Sequence, residues 1–214
     1  MPSIGAINPA ELIGRLPVQE VHAIVNGASS GVATIAAPTV GNILLCCAGG
    51  GAAAADVSGI VQTNVAWSML VHKVDGTNEA VSLWKGVVSD SPGTTVTVSF
   101  TGTIYGNVTI TEWTGLSGTL DQSLTDTTTN NAKGGPVYIG TGIVPTNKNA
   151  LVFFLFAQND STLNINIRSS LAGLTSAFPN TFALAYGFPG RVPVGPSVTG
   201  SASSTYATLI ASIT

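Results

Sequence analysis

Thr94-Thr95-Val96-Thr97-Val98-Ser99-Phe100 alternates polar and apolar residues with period two. After Thr101-Gly102-Thr103 the same alternation resumes in Ile104-Tyr105-Gly106-Asn107-Val108-Thr109-Ile110-Thr111-Glu112-Trp113. Successive side chains of a strand point to opposite faces. Val96, Val98 and Phe100 therefore share a face in the first run, and Ile104, Val108 and Ile110 share one in the second. Each run reads as a half-buried strand, and the Thr-Gly step between them predicts an antiparallel hairpin.

Outward from this pair the same period recurs in Glu20–Val25, Gly31–Ala36, Asn42–Ala48, Ala66–Val74, Ala80–Val88, Val137–Ile143, Leu163–Arg168, Thr181–Gly187 and Tyr206–Ile213. Leu151-Val152-Phe153-Phe154-Leu155-Phe156 is apolar at every position. Such a strand must be covered on both faces, which places it mid-sheet with a layer above and below. Turn signals punctuate the runs at Asn26-Gly27, Gly49-Gly50-Gly51, Asp75-Gly76, Ser91-Pro92-Gly93, Gly134-Gly135-Pro136 and Phe188-Pro189-Gly190. Ser117–Gly135 and Phe188–Ser204 read as long polar loops. The fold class expected is all-β, a two-sheet antiparallel β-sandwich of jelly-roll-like type.

The first residues differ. Asn8-Pro9-Ala10-Glu11 carries a cap, a proline suited to the first helical position and a capping-box acid, and Pro17 opposes continuation. We read residues 1–19 as an arm containing one helical turn, with Leu12, Ile13 and Leu16 on its apolar side, and residues 20–214 as one sandwich domain. The arm docks on a neighbouring subunit or lids the domain's own open end. The opening MPSIGAINPAELIGRLP has neither a basic start nor a continuous apolar run, so the expectation is a protein made in a cytoplasm and not sent through the ordinary secretory route.

Of the 214 residues, 44% are hydrophobic and only 8% charged, with net charge −3; soluble domains average about 25% charged. A surface built from Thr, Ser, Asn, Gly and Ala repels its neighbours weakly and favours association. The seven Lys and Arg residues are scattered, which excludes a nucleic-acid footprint. No apolar run approaches the roughly 20 residues of a spanning helix. Cys46 and Cys47, adjacent in a strand, point to opposite faces and read as small core residues.

The chain has no G-x-S-x-G elbow, no H-E-x-x-H and no P-loop, and its Gly49–Gly51 run reads as a loop without a phosphate cradle. His22 and His72 lie near no nucleophile motif. Glu112, in register with the apolar face of its strand, either needs a partner or marks the strand's solvent end. Asp121, Asp126 and Asp160 are not spaced as a calcium loop. The expectation is no catalytic residue, no cofactor and no metal. Tyr105 and Trp113 share a strand face with Thr109 and Thr111, so they are candidate glycan-stacking rings if that face is open, and core residues otherwise.

Pro38-Thr39-Val40-Gly41-Asn42-Ile43-Leu44-Leu45 resembles the opening strand of a family of β-sandwich domains, concanavalin-like or jelly-roll, found in bacteriophage virion proteins and bacterial surface proteins. Trp67, Val81-Ser82-Leu83-Trp84-Lys85, Thr94–Phe100, Glu112-Trp113-Thr114-Gly115-Leu116, Leu120-Asp121-Gln122-Ser123 and Tyr206-Ala207-Thr208-Leu209-Ile210-Ala211 follow in the family's order, so that the resemblance spans roughly Val21 to Thr214. It implies no catalytic residues. A single copy with its own arm and no attached module points to a stand-alone virion structural protein, made in the host cytoplasm: capsid decoration, minor capsid or tail-associated. Its partners would be copies of itself or a capsid or tail protein. The alternative is a carbohydrate-binding or adhesive module at a bacterial cell surface, with a cell-surface glycan as partner.

Overall fold

The computed structural model describes residues 16–51, 56–75, 79–130, 136–138, 142–158, 166–168, 174–178, 182–195, 197–199 and 204–214. The proposed turn at Asn8–Glu11, with Leu12 and Ile13, lies outside them. In chain order the strands are β1 (Gln19–Thr34), β2 (Ile43–Gly51), β3 (Val57–Val61), β4 (Val65–Val74), β5 (Glu79–Val88), β6 (Thr95–Trp113), β7 (Leu120–Asn130), β8 (Pro136–Tyr138), β9 (Leu151–Gln158), β10 (Asn166–Arg168), β11 (Leu174–Phe178), β12 (Phe182–Gly187), β13 (Ser197–Thr199) and β14 (Ser204–Ile213). Among the described residues there is no helix.

The fold is an antiparallel β-sandwich. One sheet has the order β1-β6-β2-β5-β4, with β3 also paired to β6; the other has the order β11-β12-β9-β14-β7; β10, β13 and β8 form a small third sheet. The two large sheets face each other across Ile43, Leu45, Cys47, Leu83 and Trp113 from the first and Leu151, Phe153, Leu155, Leu184, Leu209 and Ile213 from the second. β9 lies between β12 and β14, and it is covered as its sequence requires. Its odd positions enter the intersheet core, while Val152, Phe154 and Phe156 pack outward with Ile143, Val194 and Ile210. Ile143 and Val194 are themselves joined by a β-bridge.

The expected hairpin at Thr101-Gly102-Thr103 does not form. β6 runs through it as one strand of 19 residues. A tight reversal needs a left-handed backbone at the turn, and Gly102 does not adopt one. The two expected strands Glu20–Val25 and Gly31–Ala36 likewise merge into the single β1, which pairs with β6 from Gln19↔Glu112 to Thr34↔Thr95 and has register shifts between Asn26 and Ser30. The long ribbon bends there, with Gly27 at φ 63°, and doubles back on itself. Gly31, beyond the bend, lies so close to Val25 and Val108 that a Cβ on it would come 2.7 Å and 3.1 Å from their Cγ2 atoms. The returning segment lays Ala33, Val96, Val98 and Phe100 over Leu44, Cys46, Val108 and Ile110. The face of the first sheet that a simple sandwich would leave wet is thus covered.

Three expected loops contain strands, among them Phe188–Ser204, which holds β13. Gly49–Gly51 ends β2 and pairs with Tyr105, Gly106 and Asn107. Within Ser117–Gly135, Leu120–Asn130 forms β7. β7 is polar and is the border strand of its sheet, and β-branched threonine favours the strand conformation.

Candidate functional site

Several polar and exposed features lie along and just before β1, which borders its sheet and pairs with β6 on one side. Leu16 is 70% exposed and Val18 55%, just before the strand; Ile24 is 61% exposed within it, and Val32 is also exposed. Of the three arm residues singled out in the sequence, Leu16 is therefore in the described structure and open to solvent.

Tyr105 and Trp113 do not form a common platform. Tyr105 is 51% exposed, whereas Trp113 is 2% exposed. Their strand face points at the second sheet. That sheet covers it at Trp113, which meets Phe153, Tyr186 and Phe188 edge-on at centroid distances of 6.4, 5.6 and 5.8 Å. The Trp113 indole N–H donates to Thr111 Oγ1 at 2.8 Å. Trp113 is a core residue and cannot stack on a glycan.

On that same face a polar row crosses from one sheet to the other. Tyr186 OH, on β12, donates to Glu20 Oε2 at 2.6 Å. Glu20 Oε1 lies 3.1 Å from His22 Nε2, His22 Nδ1 is 2.9 Å from Thr109 Oγ1, and Thr109 Oγ1 is 3.2 Å from Asn107 Oδ1. Glu20 and His22 stand two apart on one strand and so share a face; His22 is directly opposite Thr109 in the ladder. The acid–imidazole–hydroxyl order has the connectivity of a nucleophilic triad. Thr109, however, has no solvent-accessible surface, so no substrate carbonyl can reach its oxygen. The row joins the sheets at their edge and orders the side chains of β1. Its sequence signal is Glu20-x-His22 facing Thr109, which is visible only from the pairing of β1 with β6.

Glu112 is buried and partnered rather than at a solvent end. Its carboxylate accepts from Gln19 Nε2 at 2.6 Å, the Thr39 backbone N–H at 2.8 Å and Asn42 Nδ2 at 2.6 Å. Burial alone would raise its pKa; the Thr39 N–H and the Gln19 and Asn42 amides outweigh it and hold the carboxyl below the usual range. Asp121 is also held low. The Thr146 hydroxyl contributes most, working against slight burial, with the Thr146 N–H and Ser212 hydroxyl adding to it. Asp121 therefore ties β7 to the 142–150 segment and to β14. His72 Nδ1 lies 2.6 Å from Asp56 Oδ2.

Cys46 and Cys47 are free and buried on opposite faces, one in each core, and burial pushes both thiols well up. Among the described residues no three His, Cys, Asp or Glu side chains group as metal ligands, and no helix is long and apolar enough to cross a membrane. Asp160 lies outside the described residues. No known protein family, curated protein or solved structure matches the chain.

Proposed function

We propose that the protein is a non-enzymatic structural component of a bacteriophage-like virion, a capsid-decoration, minor capsid or tail-associated protein that works by packing against other protein subunits. The observation that carries this reading is the set of exposed aliphatics just before and along β1, Leu16, Val18, Ile24 and Val32, on a chain of which only 8% is charged. A neutral surface with an open strand border favours protein association over colloidal repulsion. The segments that resemble the phage β-sandwich family support it further, falling on or beside β2, β4, β5, β6, β7 and β14 in order. The one acid–histidine–hydroxyl row among the described residues is sealed at its hydroxyl and so works as a brace between sheets. Localisation follows as the virion, reached from the host cytoplasm.

The adhesive reading keeps Tyr105 but loses Trp113 to the core, and one ring is a weak platform for a sugar. Quantitative mass spectrometry of purified particles from the source tests the proposal. The protein is expected there at a fixed stoichiometry to the major capsid protein. Its absence from particles, or glycan-array binding that Tyr105→Ala removes, overturns it.

A further inference from the structure

We propose that two copies of the chain pair antiparallel through β1, about a two-fold axis at Val21, to continue the β1-β6-β2-β5-β4 sheet across the interface. This deepens the assembly reading and rests on it.

β1 ends its sheet, and no described strand pairs with its outer side. From Gln19 to Asn26 it carries no Lys or Pro, two of the residues that blunt an open strand; its one acid, Glu20, is turned toward the second sheet. A two-fold axis makes the pairing antiparallel and isologous. Because backbone groups alternate in direction along a strand, only residues of like parity can oppose each other. That restricts the self-pairings of this segment to a few registers. Centring on Glu20 sets two carboxylates face to face. Centring on His22 sets two imidazoles face to face and Glu20 against an aliphatic Ile24. Centring on Ala23 opposes His22 to Ile24 and Glu20 to Asn26. Centring on Val21 alone opposes Glu20 to the partner's His22 and the exposed Val18 to the partner's equally exposed Ile24. Paired aliphatics and an acid facing an imidazole are favourable cross-strand combinations, and like charges are unfavourable. Glu20 and His22 are already held by Tyr186 and Thr109, so the acid and the imidazole are presented in a fixed geometry to their counterparts across the axis.

The test is sedimentation equilibrium of the full chain as the unaltered protein, Val18→Glu, Ile24→Lys and the double variant. Both positions are exposed, so the fold tolerates the charges. The unaltered chain is expected to dimerise. Each opposed pair occurs twice in a two-fold dimer, so each single variant should weaken the dimer by roughly tenfold. In the double variant the carboxylate introduced at position 18 meets the ammonium introduced at position 24 of the other copy, and the affinity returns. Positions 18 and 24 lie about 20 Å apart along one strand, so no contact within a chain can produce that rescue. A monomer at all concentrations overturns the pairing. Association that neither single variant weakens also overturns it and leaves the assembly reading standing. Weakening without rescue overturns the Val21 register. Particle composition decides the assembly reading separately.

Discussion

Gln19 and Ala36, seventeen residues apart, are joined by two hydrogen bonds: Gln19 Nε2 donates to the Ala36 carbonyl at 3.1 Å, and the Ala36 N–H donates to Gln19 Oε1 at 2.8 Å. The side-chain amide stands in for a peptide group and closes the ends of the doubled-back β1 on each other. Its Nε2 also donates to Glu112 at 2.6 Å, so a single amide pins the start of β1, the chain after its end and the last rung of the ladder on β6. A straight strand of 16 residues would hold its ends about 50 Å apart; the clamp is what the bend at Gly27 makes possible.

Gln19→Ala should therefore destabilise the fold by about 1–3 kcal/mol, because it strips a donor from the buried Glu112 carboxylate, whereas the exposed Ala36 N–H can turn to water. Urea unfolding followed by tryptophan fluorescence measures it. A midpoint unchanged from that of the parent chain would show the clamp to be incidental.

Glu112 gives a pH dependence with a definite sign. Its folded pKa lies below the unfolded one, so its contribution is complete above the unfolded value of about 4.3 and is lost as pH falls through the folded value. In Glu112→Gln the new amide would present N–H groups to the Gln19 amide, which Ala36 holds in place. The variant should be less stable than the parent by about 1–3 kcal/mol at neutral pH, and the gap should narrow in acid. Melting temperatures from neutral to pH 2 test this; a constant gap would mean that the carboxylate charge plays no part.

The sheet-forming faces of this chain are legible in its sequence because burial enforces period two. Leu151–Phe156 dictates a strand covered on both sides, and Val96, Val98, Phe100, Ile104, Val108 and Ile110 share a core although the break between them reads as a turn and is not one. What patterning misassigns is backbone geometry. Gly102 looks like a turn and lies in an extended strand; Gly49–Gly51 looks like a loop and is the buried end of β2. Glycine permits both, and only the neighbouring strand decides. The polar row from Tyr186 to Asn107 and the partners of Glu112 depend on contacts between residues far apart in the chain, on which local alternation is silent.

The two cysteines should be inert in the native protein. Both are fully buried, and burial disfavours their thiolates, the form that reacts. Iodoacetamide is expected to label neither in buffer and both in denaturant. Labelling of either in the native chain faster than global unfolding would reveal local opening of β2, the strand at the centre of its sheet.

The glycines at the end of that strand supply the sharpest mutational contrast. Gly50 and Gly106 face each other across β2 and β6. A Cβ on Gly106 would collide with the Gly49 carbonyl oxygen, and one on Gly50 with the Tyr105 carbonyl oxygen. Backbone cannot step aside as a flexible side chain can, so Gly106→Ala must break the pairing or shift it. Its cost should exceed about 4 kcal/mol, in the range reserved for severe steric or core defects. Gly59, on β3, has open space where its Cβ would sit and no left-handed backbone. Gly59→Ala should leave stability unchanged or raise it by about 0.4–1 kcal/mol, through the lower entropy of the unfolded chain. Thermal melts of the two variants side by side distinguish close backbone approach from a general intolerance of alanine in strands. Equal losses at both sites would remove close approach as the reason for glycine at Gly50 and Gly106.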